Sequence, residues 1–500
     1  MNPFRKLAGQ TAIYGLPTIV GRLLNYLLVP LYTRVFAPAE YGIVTEIYAY
    51  VAFLFVILTY GMETSFFRFS TTENEKERVY GTSFFSLLVT SFSFILIIFL
   101  FSTSISNTMG YPDHAEYIKW FAIILAADAT CSIPYAYLRL KNRSIRFAVV
   151  KITNIVVNIF FNLLFIVFIP QFLNRYPDSG LSDTIQLIYD PQIGVGYIFI
   201  SNLIASLITL IMLLPALPRS TANPDFQLLR KMLRYGWPLL IFGLAGIINE
   251  TFDRVILKHL LPVESNPMAQ LGIYGACYKI SILMTLFIQT YRYAAEPFFF
   301  DQSKNKDAKA TYARLMHYFI IVCLFIYLLI ILNLDIVLLF VGPEFREGAG
   351  VIPILLWANL FLGVFYNLSV WFKLTDKTLT GALISIGGAV VTLVFNFLLI
   401  PVMGYLGAAW ATFICYLFMM ITSWYLGRKY YPINYDLRNA GLYATLTLII
   451  YVLSIYTGKL QSEITYTLNY LMLIGFGIIV FVNEKRELRS NKTINQEQGQ

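Results

Sequence analysis

Apolar stretches long enough to cross a bilayer recur from one end of this chain to the other, separated by connections too short to fold by themselves. A crossing helix needs about 20 predominantly apolar residues. Such runs lie near residues 10 to 35, 41 to 61, 80 to 102, 116 to 138, 146 to 169 and 192 to 215, then 235 to 258, 271 to 293, 312 to 333, 351 to 372, 378 to 401, 404 to 427, 437 to 457 and 463 to 482. Backbone polar groups in hydrocarbon must be satisfied within their own segment, so runs of this length are helices. The pattern predicts an all-α integral membrane protein with about 14 transmembrane helices. Composition agrees, since 58% of the 500 residues are hydrophobic and 13% are charged, against about 25% charged in soluble domains. Fourteen crossings take roughly 280 residues, which leaves no room for a sizeable soluble domain. A cytosolic enzyme, a nucleic-acid-binding module and a transporter with a built-in ATPase domain are all disfavoured.

Lys and Arg alternate between connections in a way that sets orientation. One set of connections holds 26 of them, including Arg68, Arg139, Arg143, Arg230, Lys304, Lys309, Lys373, Lys377, Arg428 and Lys485; the opposite set holds only Arg34, Lys119, Arg175, Lys258, Arg346 and Lys459. The positive-inside rule therefore places both termini in the cytoplasm, of a protein expected in the cytoplasmic (inner) membrane. It also accounts for most of the sequence pI of 9.1 without nucleic acid as a partner. Arg22 interrupts the first run and no small-residue cleavage site follows, so the N-terminus reads as a first span rather than a cleaved signal.

Familiar catalytic and metal signatures are missing from the sequence. Cys131, Cys277, Cys323 and Cys415 lie far apart in apolar stretches, which predicts buried reduced thiols. His114, His259 and His317 are scattered, and Gly458-Lys459 is followed by Leu460, so the sequence has neither an HExxH pattern nor a P-loop. No catalytic residue, metal or bound cofactor is expected.

The two halves repeat. Tyr14-Gly15-Leu16-Pro17 is matched by Tyr235-Gly236-Trp237-Pro238. Arg34 to Glu40 followed by Tyr41-Gly42-Ile43 is matched by Lys258 to Glu264 followed by Leu271-Gly272-Ile273. Asn162-Leu163-Leu164, Pro170 and Ile193 to Tyr197 are matched by Asn396-Phe397-Leu398, Pro401 and Leu406 to Trp410. Their shared order predicts a six-helix bundle over 1–218, a second over 219–430, two additional helices over 431–482 and a cytoplasmic tail over 483–500. Small residues in these motifs are expected to let helices pack closely, and Pro17, Pro134, Pro238, Pro297 and Pro353 are candidate bends.

These motifs resemble the polysaccharide transport family of the multidrug/oligosaccharidyl-lipid/polysaccharide flippase superfamily, its Wzx-like O-antigen and capsule flippases in particular. Leu31 to Ile43 (LYTRVFAPAEYGI) is similar to the family's first hairpin, and Asn396 to Trp410 to its eleventh-to-twelfth connection. The resemblance implies a two-lobed transporter that turns a polyprenyl-pyrophosphate-linked oligosaccharide from the cytoplasmic to the outer leaflet, among membrane lipids and with other polysaccharide assembly enzymes as candidate partners.

A sugar-pyrophosphate headgroup needs a polar path carrying cations, and ionisable residues within spans are candidates for it. Arg22, in the middle of the first span, is the leading one, followed by Lys279 and Arg292 in the eighth span and Arg254 in the seventh, where Glu250 offers local neutralisation. The related lipid II flippases place arginines in their first, second and eighth helices; here the second helix has none. Asp128, Glu46 and Asp253 are candidates for coupling to H+ or Na+, with pairing to Arg22 or Lys279 as the structural alternative. Asn154, Asn158 and Asn162 fall on one helix face, suited to sugar hydroxyls or to hydrogen bonds between helices.

Two rival functions stand beside the flippase. An ion-coupled multidrug exporter of the same superfamily typically has twelve helices and often an acid in the first, where this chain has Arg22. A membrane-embedded polysaccharide polymerase or glycosyltransferase would need a large outer loop, whereas the longest outer connection runs from Pro170 to Pro191, with Asp178, Asp183 and Asp190 read as solvated.

Overall fold

A computed structural model describes residues 21, 23–72, 76–216, 224–303, 305, 307–458 and 462–497. Every regular element among them is helical: α1 (Val29–Val35), α2 (Pro38–Thr59), α3 (Met62–Thr72), α4 (Lys76–Thr108), α5 (Ala115–Leu140), α6 (Ser144–Leu163), α7 (Gly196–Leu213), α8 (Phe226–Leu260), α9 (Pro267–Gln302), α10 (Ala308–Leu332), α11 (Val351–Leu368), α12 (Thr378–Met403), α13 (Tyr405–Tyr430), α14 (Leu437–Thr457) and α15 (Ser462–Glu497), with short helical turns between some of them. Among the described residues 12 helices are long and apolar enough to cross a membrane. They match twelve of the expected spans. The seventh expected span is α8, 35 residues long but diluted by Asn249, Glu250, Asp253 and Arg254. Of the first, residues 10–20 and 22, with Pro17 and Arg22 among them, lie outside the described residues.

The helices are built for lipid. On α4 the buried side is largely small or hydroxylated (Gly81, Thr82, Ser83, Ser86, Ser91, Ser102, Ser106), while Phe92, Leu96, Leu100 and Phe101 point outward. Large apolar side chains gain nothing by leaving lipid, whereas small ones let backbones approach, so this inversion of the soluble pattern is the favoured one. Helix starts are fixed by local chemistry. Glu40 accepts the Ala37 N–H at 2.8 Å ahead of Pro38 in the first turn of α2, and Asp225 accepts from the Gln227 and Leu228 N–H groups at 2.9 and 3.0 Å to begin α8. Pro134 and Pro238 sit inside unbroken helices.

The outer connection from Pro170 to Pro191 is more ordered than the sequence suggests. A π-turn over Leu164–Phe168 carries α6 into a further helical segment, Ile169–Arg175, and Gly180–Gln186 is helical too. The wider π-turn lies just ahead of Pro170, which cannot supply an N–H to a regular ladder.

Two compact units emerge, Met1–Ala276 with Ser385–Ala408, and Cys277–Ile384 with Ala409–Gln500. The first has a core in which Phe66, Tyr80, Leu87, Ile133 and Met232 are almost inaccessible, with Tyr80 stacked on Tyr137 at 4.2 Å between centroids. In the second, buried Trp371 donates to Ser423 Oγ at 3.2 Å, and Asn469 Nδ2 donates to the Leu332 carbonyl at 2.7 Å, tying α15 to α10. His317 on α10 lies 2.7 Å from Glu484 Oε1 on α15, which also accepts from the Tyr443 hydroxyl of α14. All four cysteines are buried and free.

Candidate functional site

Charged side chains among apolar helices are costly to desolvate, so their partners show what each is for. In the first unit they form three groups. Glu46, on α2, is wholly buried. Lys258, in the last turn of α8, places Nζ 2.7 Å from Glu46 Oε1 and 2.8 Å from Oε2, and donates to the Met109 carbonyl at 2.6 Å. The Tyr111 hydroxyl donates to Glu46 Oε2, and the ammonium also lies 4.8 Å from the centre of the Tyr111 ring. Glu46 therefore pairs with Lys258, neither of the two partners read from the sequence.

Beside this group the helix starts cross at glycines. A Cβ on Gly42 would lie 2.1 Å from the Met268 carbonyl oxygen, and one on Gly272 would lie 1.9 Å from the Pro38 carbonyl oxygen. Neither position has room for a side chain. Gly42 and Gly272 stand at matching positions of the two sequence motifs, and α2 and α9 meet here backbone to backbone.

The second group is on α8. Asp253 Oδ1 accepts the Arg254 N–H at 2.8 Å and lies 4.0 Å from Arg254 Nε, and the Tyr274 hydroxyl donates to Asp253 Oδ2. The Arg254 guanidinium also faces Tyr41. Glu250 is exposed to the surroundings.

The third group lies among α5, α6 and α7. Asp128 faces the Ser206 hydroxyl and the Lys151 ammonium, and Lys151 Nζ sits 4.2 Å from the centre of the Tyr135 ring. Tyr48 connects it toward α2: its hydroxyl accepts from Asn202 Nδ2 at 3.1 Å and faces Asp128. The asparagine face of α6 adds further polar contacts. Asn154 donates to Thr209 Oγ1 at 2.9 Å, Asn158 to Asn25 Oδ1 at 3.2 Å, and Asn162 accepts from the Tyr32 hydroxyl at 2.8 Å. Each asparagine holds a neighbouring segment.

Of the remaining expected cations, Lys279 is half-buried on α9, between buried Tyr278 and Ile280. Arg292 is exposed near the end of that helix, in the second unit, 3.7 Å from Glu296. The structure thus gathers Glu46, Asp253, Arg254, Asp128 and the asparagines into one unit and leaves Lys279 and Arg292 in the other. Sequence reasoning missed Lys151, Lys258, Tyr111 and Tyr274 as partners. Lys151 follows Arg146 closely at a helix start and passes for an interfacial anchor; Lys258 carried a usable signal, because it is the repeat counterpart of Arg34. Among the described residues no group of three His, Cys, Asp or Glu side chains could hold a metal ion.

A family model described as polysaccharide biosynthesis protein matches residues 7–303. Among solved structures, the fold is similar to that of the lipid II flippase MurJ in an inward closed conformation, with a TM-score of 0.69 and 12% identity over 95% of this chain and 99% of that one. It is also similar to a MATE multidrug-resistance transporter of the MOP superfamily, inward-facing at a TM-score of 0.61 and outward-facing at 0.59, each at 13% identity over 84% of this chain and 94% of that one. At these identities the likeness is one of fold. Comparison with curated proteins returns no match.

Proposed function

The chain belongs to the polysaccharide biosynthesis protein family, and from that premise we propose that it is a flippase moving a polyprenyl-pyrophosphate-linked oligosaccharide across the cytoplasmic membrane, by alternating access, for surface polysaccharide such as O-antigen or capsule. The observation that carries this reading is the set of buried and half-buried polar groups within otherwise apolar helices: Asp128 in the field of Lys151, Asp253 beside Arg254, and the hydrogen-bonded asparagines of α6. Charge and amide groups at membrane depth line paths for polar cargo. A lipid-linked sugar needs such a path only for its headgroup, since its tail stays in hydrocarbon. The MurJ and MATE likeness supports a transporter fold of this kind rather than an enzyme.

In this proposal Arg22 and Lys279 contact the pyrophosphate, since phosphate oxygens are the acceptors that cations bind best in a dry setting. Asp128 is the coupling carboxylate, binding H+ or Na+ in one state and Lys151 in the other. The halves 1–218 and 219–430 move as the two repeat bundles. Translocation of a labelled polyprenyl-pyrophosphate oligosaccharide in proteoliposomes tests this under an imposed ion gradient. Wild type moves the lipid, Arg22→Ala does not, and Arg22→Lys keeps part of the rate. Failure of folded wild type to move several such lipids overturns the reading in favour of an exporter; movement unaffected by Arg22→Ala overturns the assignment of Arg22 alone.

A further inference from the structure

In the second unit, the end of α9 sets Arg292 and Glu296 four residues apart on one face, and Tyr291 lines the same pocket beside them. Tyr366, Asn367 and Lys373, from the end of α11 and the short helix Val370–Leu374, stand opposite them, and together they line a pocket with an apolar, aromatic floor. Its rim is charged. The Arg292 guanidinium lies over the Tyr366 ring, 4.8 Å from its centre, with Nε 3.7 Å from Glu296 Oε2; Lys373 Nζ donates to Glu296 Oε1. Two cations share one carboxylate, so the rim keeps a net positive charge. The charged side chains remain open to the surroundings, with Arg292 50%, Glu296 38% and Lys373 31% exposed. The wall behind them is fixed: the Tyr291 hydroxyl donates to Asn367 Oδ1 at 2.6 Å, and Asn367 Nδ2 donates to the Gly363 carbonyl at 3.1 Å.

We propose that this pocket is a loading site for a diphosphate group carried on an isoprenoid chain, occupied at the inner face of the membrane before the headgroup enters the polar path. The inference rests on the flippase reading and adds to it the residues that first take hold of the substrate. A guanidinium stacked on a ring is held in plane, and its paired N–H groups match two phosphate oxygens. Lys373 supplies a second, mobile charge. Glu296 is the resident anion that the diphosphate displaces, and the aromatic floor receives the first isoprene units. The inner face follows from Lys373 itself and from Lys309 and Lys377, which belong to the basic set of connections next to these helix ends. An ion pair serving only to anchor a helix end at the interface would need neither the second cation nor the slot.

Binding of a labelled fifteen-carbon prenyl diphosphate to the purified full chain tests this, with inorganic pyrophosphate and the corresponding prenyl alcohol as competitors. Arg292→Gln and Lys373→Gln each weaken binding about tenfold or more, as expected for losing one partner of a charge pair, whereas Glu296→Gln strengthens it about threefold by removing the competing anion. Arg428→Gln, at another basic position, leaves it unchanged. Wild-type affinity in both cation variants overturns the site, as does a loss in Glu296→Gln equal to that in Arg292→Gln, which identifies a purely structural ion cluster. Competition by inorganic pyrophosphate as strong as by the prenyl diphosphate overturns the lipid as the source of the phosphate. Thermal unfolding of each variant guards against misfolding. Translocation by wild type separates the two readings: a chain that binds prenyl diphosphate through Arg292 and Lys373 but moves no lipid keeps the site and loses the flippase, and a chain that moves lipid equally well in both variants loses the site alone.

Discussion

Glu46 is fully buried and its recorded partners come from the end of α8 and from the turn after α4. Removing one member of a buried pair leaves the other charge stranded, at a cost of about 3–5 kcal/mol. Lys258→Met is therefore expected to destabilise the protein by about that much in reversible denaturant unfolding. The double variant with Glu46→Gln should recover most of the loss, because no uncompensated charge remains; additive losses would show that the pair is not the energetic unit. Asp128 carries a different expectation. If it couples transport to an ion, Asp128→Asn abolishes the response of lipid movement to an imposed H+ or Na+ gradient and leaves gradient-free exchange. Unchanged gradient dependence would reduce Asp128 to a structural partner of Lys151. The sequence singled out both carboxylates by their depth in apolar runs. It could not pair them, because spacing along a chain reports neighbours on one helix and says nothing of which other helix faces them.

The crossing of α2 and α9 depends on two glycines whose absent side chains are the point of contact. Gly272→Ala forces the backbones apart, an overpacking cost of about 1–3 kcal/mol, visible as a lowered unfolding temperature; Gly475→Ala, where an added Cβ meets nothing, is the control and should be neutral. The start of α8 depends on Asp225 in the same local way. Hydrogen bonds from the backbone of Leu228 and Gln227 and the nearby Arg78 and Lys231 charges hold its carboxyl below the ordinary Asp value. A carboxyl depressed in the folded state stabilises it above the unfolded value, about 3.9, and the contribution is lost as pH falls through the folded one. Hydrogen exchange at Gln227 and Leu228, after correction for intrinsic rates, should therefore quicken on acidification below about pH 4. Asp225→Asn, which keeps an acceptor, should remove that dependence. Helix existence was legible in the sequence nearly span by span, because a 20-residue apolar run admits one answer. The order in the Pro170–Pro191 connection was not, since its helices are short and polar.

At the scale of the whole molecule, the distribution of Lys and Arg makes a statement that labelling can check. In a background with the four buried cysteines replaced, single cysteines at Asn142, Asn305 and Asp376 should react with an impermeant maleimide only from the cytoplasmic side, and those at Gly180 and Ser265 only from the outside. Reaction of Asn305 and Asp376 from the outside would mean that a crossing in the middle of the chain has been miscounted. The sequence by itself determined that this chain is an all-helical membrane protein, roughly where it crosses, that short motifs recur in its two halves, and which side chains are too polar for their depth. Those properties follow from transfer free energies summed over local windows, and from backbone hydrogen bonds that each helix closes for itself. Only the tertiary structure decided that Glu46 meets Lys258, that Asp128 lies in the field of Lys151, that α2 and α9 touch at Gly42 and Gly272, and that Arg292 shares Glu296 with Lys373. In lipid the hydrophobic effect gives helices little reason to choose one neighbour over another, so the choice falls to close backbone contacts and to a few polar pairs whose members lie far apart in sequence.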